Sequence, residues 1–146
     1  MKILMRFFIA LNVWLYRWSG GRVMGTMRGA PILLLTTTGR KSGRRRTVPL
    51  LYLEDRSAFV VVASFAGAPK HPAWYRNLEA DPKVRVQVGS RLFEVEARRA
   101  STEEKATLWP RLVGLYPQYA DYQKRTSREI PVVILRQEYQ GTARPR

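Results

Sequence analysis

Apolar residues recur at helical spacing from the start of the chain. Ile3, Leu4, Phe7, Phe8, Leu11, Trp14, Leu15 and Trp18 share one face of a helix predicted over residues 2–18, interrupted by Lys2, Arg6, Asn12 and Arg17. The uninterrupted apolar run, residues 7–11, falls far short of the roughly 20 residues a spanning helix needs. No small-residue cleavage site follows, so no cleaved signal peptide is expected. Ser19, Gly20 and Gly21 end the helix. A basic amphipathic helix carrying aromatic residues suits a membrane interface. It equally suits packing on its own barrel or on a second subunit, and the pattern leaves both open.

Beyond Pro31 the period shortens to that of strands. Residues 31–37 form a continuous apolar and β-branched run, expected as a buried strand. Residues 48–54 read as a second strand, with Pro49 near its start where a missing amide is tolerated. Glu54, Asp55, Arg56 and Ser57 make a tight turn into a third strand, residues 58–63. Pro72 opens a helix to about Ala80, and Asp81-Pro82 closes it. Val84, Val86 and Val88 then alternate with Lys83, Arg85 and Gln87. After a Gly89-Ser90 turn, Phe93, Val95 and Ala97 alternate with Glu94, Glu96 and Arg98, which predicts an antiparallel hairpin with one dry face. Ser101, followed three residues later by Glu104, is a capping box. It starts a helix with Leu108, Leu112 and Leu115 on one face. Residues 117–126 form a further helical piece, residues 130–136 the last strand, and residues 137–146 a tail expected to fray. Six strands, joined mostly by short turns and with helices inserted, predict an α+β fold, mainly antiparallel, built on a small closed or nearly closed barrel. There is no internal repeat and no linker that would split the chain in two. The expected organisation is an N-terminal amphipathic helix and linker over residues 1–28, then a barrel domain over residues 29–146.

Charge changes the picture. The 146 residues carry a net charge of +15, and the first 53 hold ten of the 26 basic residues and none of the 11 acidic ones. Such a field attracts phosphates, polycarboxylates, anionic lipid heads or nucleic acid. The chain has no cysteine and a single histidine, His71. That rules out disulfides, thiolate metal sites and a cysteine nucleophile, and neither a histidine-rich metal site nor a Ser-His-Asp arrangement is expected.

Residues 39–46, Gly-Arg-Lys-Ser-Gly-Arg-Arg-Arg, place five cations in eight positions between two strands. The two glycines allow a tight turn and bring backbone amides toward an anion. Ser42 adds a hydroxyl, and arginine binds phosphate through paired hydrogen bonds. The spacing is not that of a Walker loop, and no helix follows. Nucleic acid is disfavoured because no stacking aromatics flank the loop. A small-molecule anion site, a nucleic-acid contact and a plain solvated loop remain the readings of this segment.

At this point the chain resembles a known family. Residues 33–43, Leu-Leu-Leu-Thr-Thr-Thr-Gly-Arg-Lys-Ser-Gly, are followed by Pro49, by Ala63-Ser64 and by residues 71–78, His-Pro-Ala-Trp-Tyr-Arg-Asn-Leu. In motif and spacing this is similar to the deazaflavin-dependent nitroreductase family of actinobacteria, quinone reductases that use reduced coenzyme F420. The likeness extends over about residues 29–136 and includes Trp109-Pro110, Tyr116-Pro117, Tyr119, Tyr122 and Ile130-Pro131. It implies a split β-barrel with peripheral helices, and hydride transfer from reduced F420 to a quinone-like or other activated acceptor. It also implies roles: Arg40, Lys41, Ser42, Gly43 and Arg46 meet the phosphate and polyglutamate tail, and Asn77 helps close the cofactor site. Pro49, Val62, Ala63 and Ser64 line the deazaflavin ring. Tyr116, Tyr119 and Tyr122 wall the acceptor side, and Ser64 orients the acceptor. Two positions depart from the family's pattern. Phe65 stands where some members carry a lysine that reaches the cofactor tail, and Leu51 where the best-known members carry tyrosine.

A hydride donor needs neither metal nor nucleophile from the protein, only positioning, exclusion of water and stabilisation of the charged product. Ser64 and the tyrosines are the available hydroxyl donors. On residue chemistry alone, Ser64 reads as a turn residue bonding its own backbone, and the tyrosines, three residues apart, as aromatic packing with polar tips. Pro117 breaks the helix after Tyr116, which is expected to aim Tyr116 apart from the other two. His71 reads as a cap or surface group. Alternatives are an FMN-binding split-barrel reductase, and a basic non-enzymatic module for nucleic acid or anionic lipid. The expected location is cytoplasmic, peripheral on the inner face of the plasma membrane, with homo-oligomerisation left open.

Overall fold

The structure, a computed structural model, describes residues 2–137. Helix α1 (Lys2–Ser19) leads to strands β1 (Thr26–Met27), β2 (Ala30–Thr38), β3 (Arg45–Leu51), β4 (Leu53–Asp55) and β5 (Ala58–Val62). A 3-10 turn (Phe65–Gly67) and helix α2 (Ala73–Ala80) precede the hairpin β6 (Lys83–Val88) and β7 (Arg91–Arg99). Helices α3 (Thr102–Leu115) and α4 (Gln118–Arg125) precede the last strand, β8 (Val132–Gln137).

All strand pairs are antiparallel. The sheet runs β1-β2-β6-β7-β8-β5-β4, with β3 on β2 as well. Only Tyr52 separates β3 from β4. The chain therefore carries the β2 edge of the sheet round to β5 and curls it into a barrel, and the Tyr52 amide donates to the Pro31 carbonyl at 3.1 Å at that bend. One predicted strand, residues 48–54, is thus two, because a single run serves both edges of the curled sheet. The described part of the expected six-strand set rises to eight with this split and with β1. Gln137 closes β8, and the rest of the predicted tail lies outside the described residues.

Alternation along the strands sorts the core into two layers. Leu33, Leu35, Val61, Val86, Val95 and Leu135 point into the barrel with Trp74, Tyr75 and Leu78 of α2. Val60, Val62, Val132 and Ile134 point outward and are covered by Leu108 and Leu112 of α3 and by Tyr116 and Tyr119. Strand β5 is buried at every position because both its faces are covered. The capping box is present: Ser101 Oγ accepts from the Glu104 amide at 3.1 Å, and Glu104 Oε1 accepts from the Ser101 amide at 2.8 Å. Arg98 then grips the Glu104 carboxylate through two 2.7 Å bonds.

Helix α1 lies on the outside of β2 and β3. Val13 and Tyr16 are buried with Leu34. The Tyr16 hydroxyl donates to the Ile32 carbonyl at 2.9 Å and accepts from the Gly89 amide at 2.8 Å. Most of the helix's apolar residues nevertheless face solvent, among them Phe7, Phe8, Trp14 and Trp18, and the last two stack at 6.0 Å. Among the described residues no helix is long and apolar enough to cross a membrane.

Candidate active site

The β2–β3 connection is a compact arm whose backbone is largely satisfied by itself. The Gly39 amide donates to the Arg44 carbonyl at 2.7 Å, and the Gly43 amide to the Gly39 carbonyl at 2.8 Å. The Arg44 amide donates to Ser42 Oγ at 3.1 Å. Both positions favour glycine. Gly43 sits at φ +73°, and a Cβ on Gly39 would lie 2.7 Å from Ser42 Oγ. This corrects two expectations. Arg45 and Arg46 are not loop residues but open β3, paired with Thr38 and Thr37; adjacent cations in a strand resemble a loop in sequence. Several arm amides are also already bonded within the protein, so they are not free to meet an anion.

Asn77 pins the arm to the barrel. From α2, its Oδ1 accepts from the Arg40 amide at 3.1 Å and from the Arg40 guanidinium at 3.4 Å, while its Nδ2 donates to the buried Thr37 hydroxyl at 3.1 Å. The arm and α2 border a cleft of about 570 Å³ whose walls include Arg40, Lys41, Ser42, Arg46 and Asn77. Gly43 belongs to the same arm but does not line it. Arg45, a cation of the predicted basic loop, also lines the cleft, together with Arg6 and Thr47, which were not singled out from sequence as site residues. The cleft carries five cations and no carboxylate among the described residues. A second cleft, of about 410 Å³, holds Asp55, Glu103 and Glu104 against Arg56, Arg111 and Arg136. Its charges balance, and Arg111 is paired with Asp55 at 2.6 Å.

Several of the other predicted site residues gather along the outer layer. Leu51 and Val62 pack in one buried cluster with Tyr116 and Tyr119, against which Tyr122 rests. The tyrosine rings converge, with centroids 5.0 Å apart for Tyr116 and Tyr119 and 6.5 Å for Tyr119 and Tyr122. The Tyr116 and Tyr122 hydroxyls are 3.4 Å apart. Tyr116 therefore joins the other two rather than pointing away: Pro117 ends α3 but starts α4, which folds back over it. The Tyr122 hydroxyl bond and burial raise the Tyr116 phenol above its ordinary range, and burial raises Tyr119 further. Both stay protonated at neutral pH.

Pro49 pairs with Leu34, and Leu51 with Ile32. Because side chains alternate, Arg45, Thr47, Pro49 and Leu51 share one face of β3. That face begins at the basic cleft and ends in the tyrosine cluster, about 13 Å from Thr47 to Leu51 at the usual strand rise.

Ala63 belongs to the barrel interior, and Ser64 is buried at the end of β5 with no capping bond from its side chain. The turn that follows is strained: Phe65 and Ala66 have φ of +46° and +54°. Arg128, which nothing in the sequence singled out, holds it. Its guanidinium donates to the carbonyls of Ser64 at 2.8 Å, Ala68 at 2.9 Å and Ala63 at 3.3 Å, and reaches His71 Nδ1 at 3.0 Å. Burial, and then the Arg128 guanidinium, hold the His71 imidazole below its ordinary value. His71 is thus a neutral acceptor on Arg128 rather than a helix cap. Phe65, half-exposed, brings no charge to the site.

A curled antiparallel barrel flanked by four helices, with a cationic cleft and a cluster of buried tyrosines, is a split barrel. Residues 8–137 match the family model of the F420H(2)-dependent quinone reductases. An F420H(2)-dependent quinone reductase of Mycobacterium tuberculosis is 42% identical over 125 residues, 83% of this chain and 84% of its own length. The solved structure of an F420-H2 dependent reductase is 47% identical with a TM-score of 0.67, over 72% of this chain and 93% of that one. A second structure, described as a domain-swapped dimer, is 39% identical with a TM-score of 0.68, over 90% of this chain and 98% of that one. The chain belongs to the F420H(2)-dependent quinone reductase family. It is an oxidoreductase, and its cofactor is coenzyme F420.

Proposed function

We propose that the basic cleft holds the phosphate and polyglutamate tail of F420, and that ring and quinone meet at the Leu51 end of β3, beside the tyrosine cluster. The carrying observation is that β3 links the two regions: its residues 45–48 line the cleft, and Leu51 packs beside Val62 and Tyr116. The donor set fits the group: five cations without a carboxylate match a ligand with several negative charges.

Reduced F420, when bound, supplies the hydride. The chain's own residues do the rest. Arg40, Lys41, Ser42 and Arg46 bind the tail, with Gly43 shaping the arm, and Asn77 keeps the arm in register. Pro49, Val62 and Ser64 form the wall for the ring, and Ala63, whose side chain turns into the barrel, contributes backbone alone. Quinone reduction to hydroquinone takes up one hydride and one proton. The Tyr116–Tyr122 pair holds a proton at a phenol oxygen, Tyr119 packs behind the pair, and the Ser64 hydroxyl orients the acceptor oxygen. Arg128 fixes the Ser64 carbonyl and so the position of that hydroxyl.

Helix α1 is docked on the barrel, and its exposed apolar face, with its basic residues, rests on an anionic membrane surface at the cytoplasmic side. Support comes from the exposure of Phe7, Phe8, Trp14 and Trp18. Pairing of two copies is supported by the relative described as a domain-swapped dimer. Fluorescence titration with F420 and with FMN tests the cofactor part: quenching by F420 alone is expected, and tight FMN binding with no response to F420 contradicts it. Flotation on vesicles containing anionic lipid tests the membrane part, since truncation of residues 1–18 is expected to abolish flotation.

A further inference from the structure

Only the C-terminal half of α1 is bolted to the barrel. Val13 and Tyr16 are buried, and the Tyr16 hydroxyl bonds both Ile32 and Gly89. Toward the N-terminus Ile9 is half-buried, and residues 3–8 are exposed. Yet this less anchored half walls the basic cleft, through Arg6, Ile9 and Ala10. Arg6 therefore shares one cleft with Arg40, Lys41, Arg45 and Arg46, and among the described residues no carboxylate lines it. Like charges across a solvated gap repel, and a multivalent anion between them replaces each repulsion with an attraction.

We propose that Arg6 is a further anion-binding residue of this site, and that a polyanionic ligand tail clamps the N-terminal half of α1 onto the barrel. The inference rests on the cleft being the F420 tail site, and it adds a wall whose position depends on the ligand. Binding and docking are then linked: the tail favours the docked helix, and the docked helix raises affinity for the tail by the same factor. The hinge falls between Ile9 and Val13, where the buried anchoring of the helix begins. Replacing Arg6 disturbs no core packing, because its side chain is exposed.

The test uses the full chain, F420, and the deazaflavin chromophore lacking phosphate and glutamates. Arg6→Ala is expected to raise the dissociation constant for F420 about five- to tenfold and to leave that for the tail-less chromophore unchanged. Arg22→Ala, which removes a charge outside the cleft, is expected to leave both unchanged. Hydrogen–deuterium exchange over residues 3–10 is expected to slow when F420 binds and not when the tail-less chromophore binds, with residues 13–18 protected throughout. Unaltered F420 affinity in Arg6→Ala, an equal loss in Arg22→Ala, or unslowed exchange over residues 3–10 overturns the clamp while leaving the tail site standing. Failure of the wild-type chain to bind F420 removes the tail site and the clamp together.

Discussion

Asn77 and Arg40 are joined twice: one side-chain oxygen on α2 accepts both the backbone amide and the guanidinium of Arg40, at 3.1 and 3.4 Å. The other end of the same amide group is spent on the buried Thr37 hydroxyl. The arm's position is thus set from the barrel rather than by its own flexibility. Replacing Asn77 with leucine keeps the volume and strands both partners. The expected cost is about 1–3 kcal/mol, or a melting midpoint lower by roughly 3–9 °C. Affinity for F420 is expected to fall several-fold in titration, and full affinity in a destabilised variant would show that the arm needs no such pin.

Charge reversal separates binding from folding. Lys41 and Arg46 are exposed and line the cleft. The Lys41→Glu/Arg46→Glu double variant is expected to raise the F420 dissociation constant at least about tenfold with an unchanged melting midpoint. Wild-type affinity should weaken with added salt more steeply than that of the variant, because fewer charges are left to screen. Equal salt slopes would place the tail elsewhere.

The tyrosines divide by role. Tyr122→Phe removes one member of the hydroxyl pair and is expected to lower kcat with a quinone about 10- to 100-fold while leaving F420 affinity alone. Tyr119→Phe keeps the buried ring and is expected to leave kcat within about twofold, the scale of a packing change that keeps shape. Steady-state kinetics of both variants decide it: equal losses would mean that the Tyr119 hydroxyl matters as much as the Tyr116–Tyr122 pair, and no loss in either would mean that the hydroxyls do not matter.

Two groups set the acid limb of stability. Glu104, gripped by Arg98 and the Ser101 amide, is held down to about 2 from 4.5. Its folded value is depressed, so its contribution is present above the ordinary value and is lost as pH falls from about 4.5 toward 2. His71 is also depressed, but as a base. Below about 6.5 the unfolded chain takes up a proton that the folded chain refuses, so stability falls as pH drops through that region. Thermal melts across pH are expected to flatten below 4.5 in Glu104→Gln, and near 6 in His71→Gln.

Much of this architecture was readable residue by residue. The alternation of residues 83–88, the Gly89-Ser90 turn and the Ser101–Glu104 box depend on local chemistry, and they occur where the pattern puts them. The basic arm and Asn77 were legible as family motifs, and the structure joins them through hydrogen bonds. What escaped depends on contacts distant in sequence. The bend at Tyr52 exists because the sheet curls, which no local period records. Arg128 lies in a polar stretch that reads as a surface turn, yet it organises a strained segment some sixty residues earlier. Arg6 is one cation on an amphipathic helix, and only docking of α1 reveals which side of the barrel it serves.

The most direct measurement of the central claim is turnover of reduced F420 with a menaquinone analogue, followed as reoxidation of the deazaflavin, in the wild-type chain and in the Lys41→Glu/Arg46→Glu variant. The account predicts quinone-dependent turnover in the wild type, with a variant that reaches comparable rates only at much higher cofactor concentration. No quinone-dependent reoxidation by the wild type, or a variant indistinguishable from it at limiting cofactor, would contradict the account.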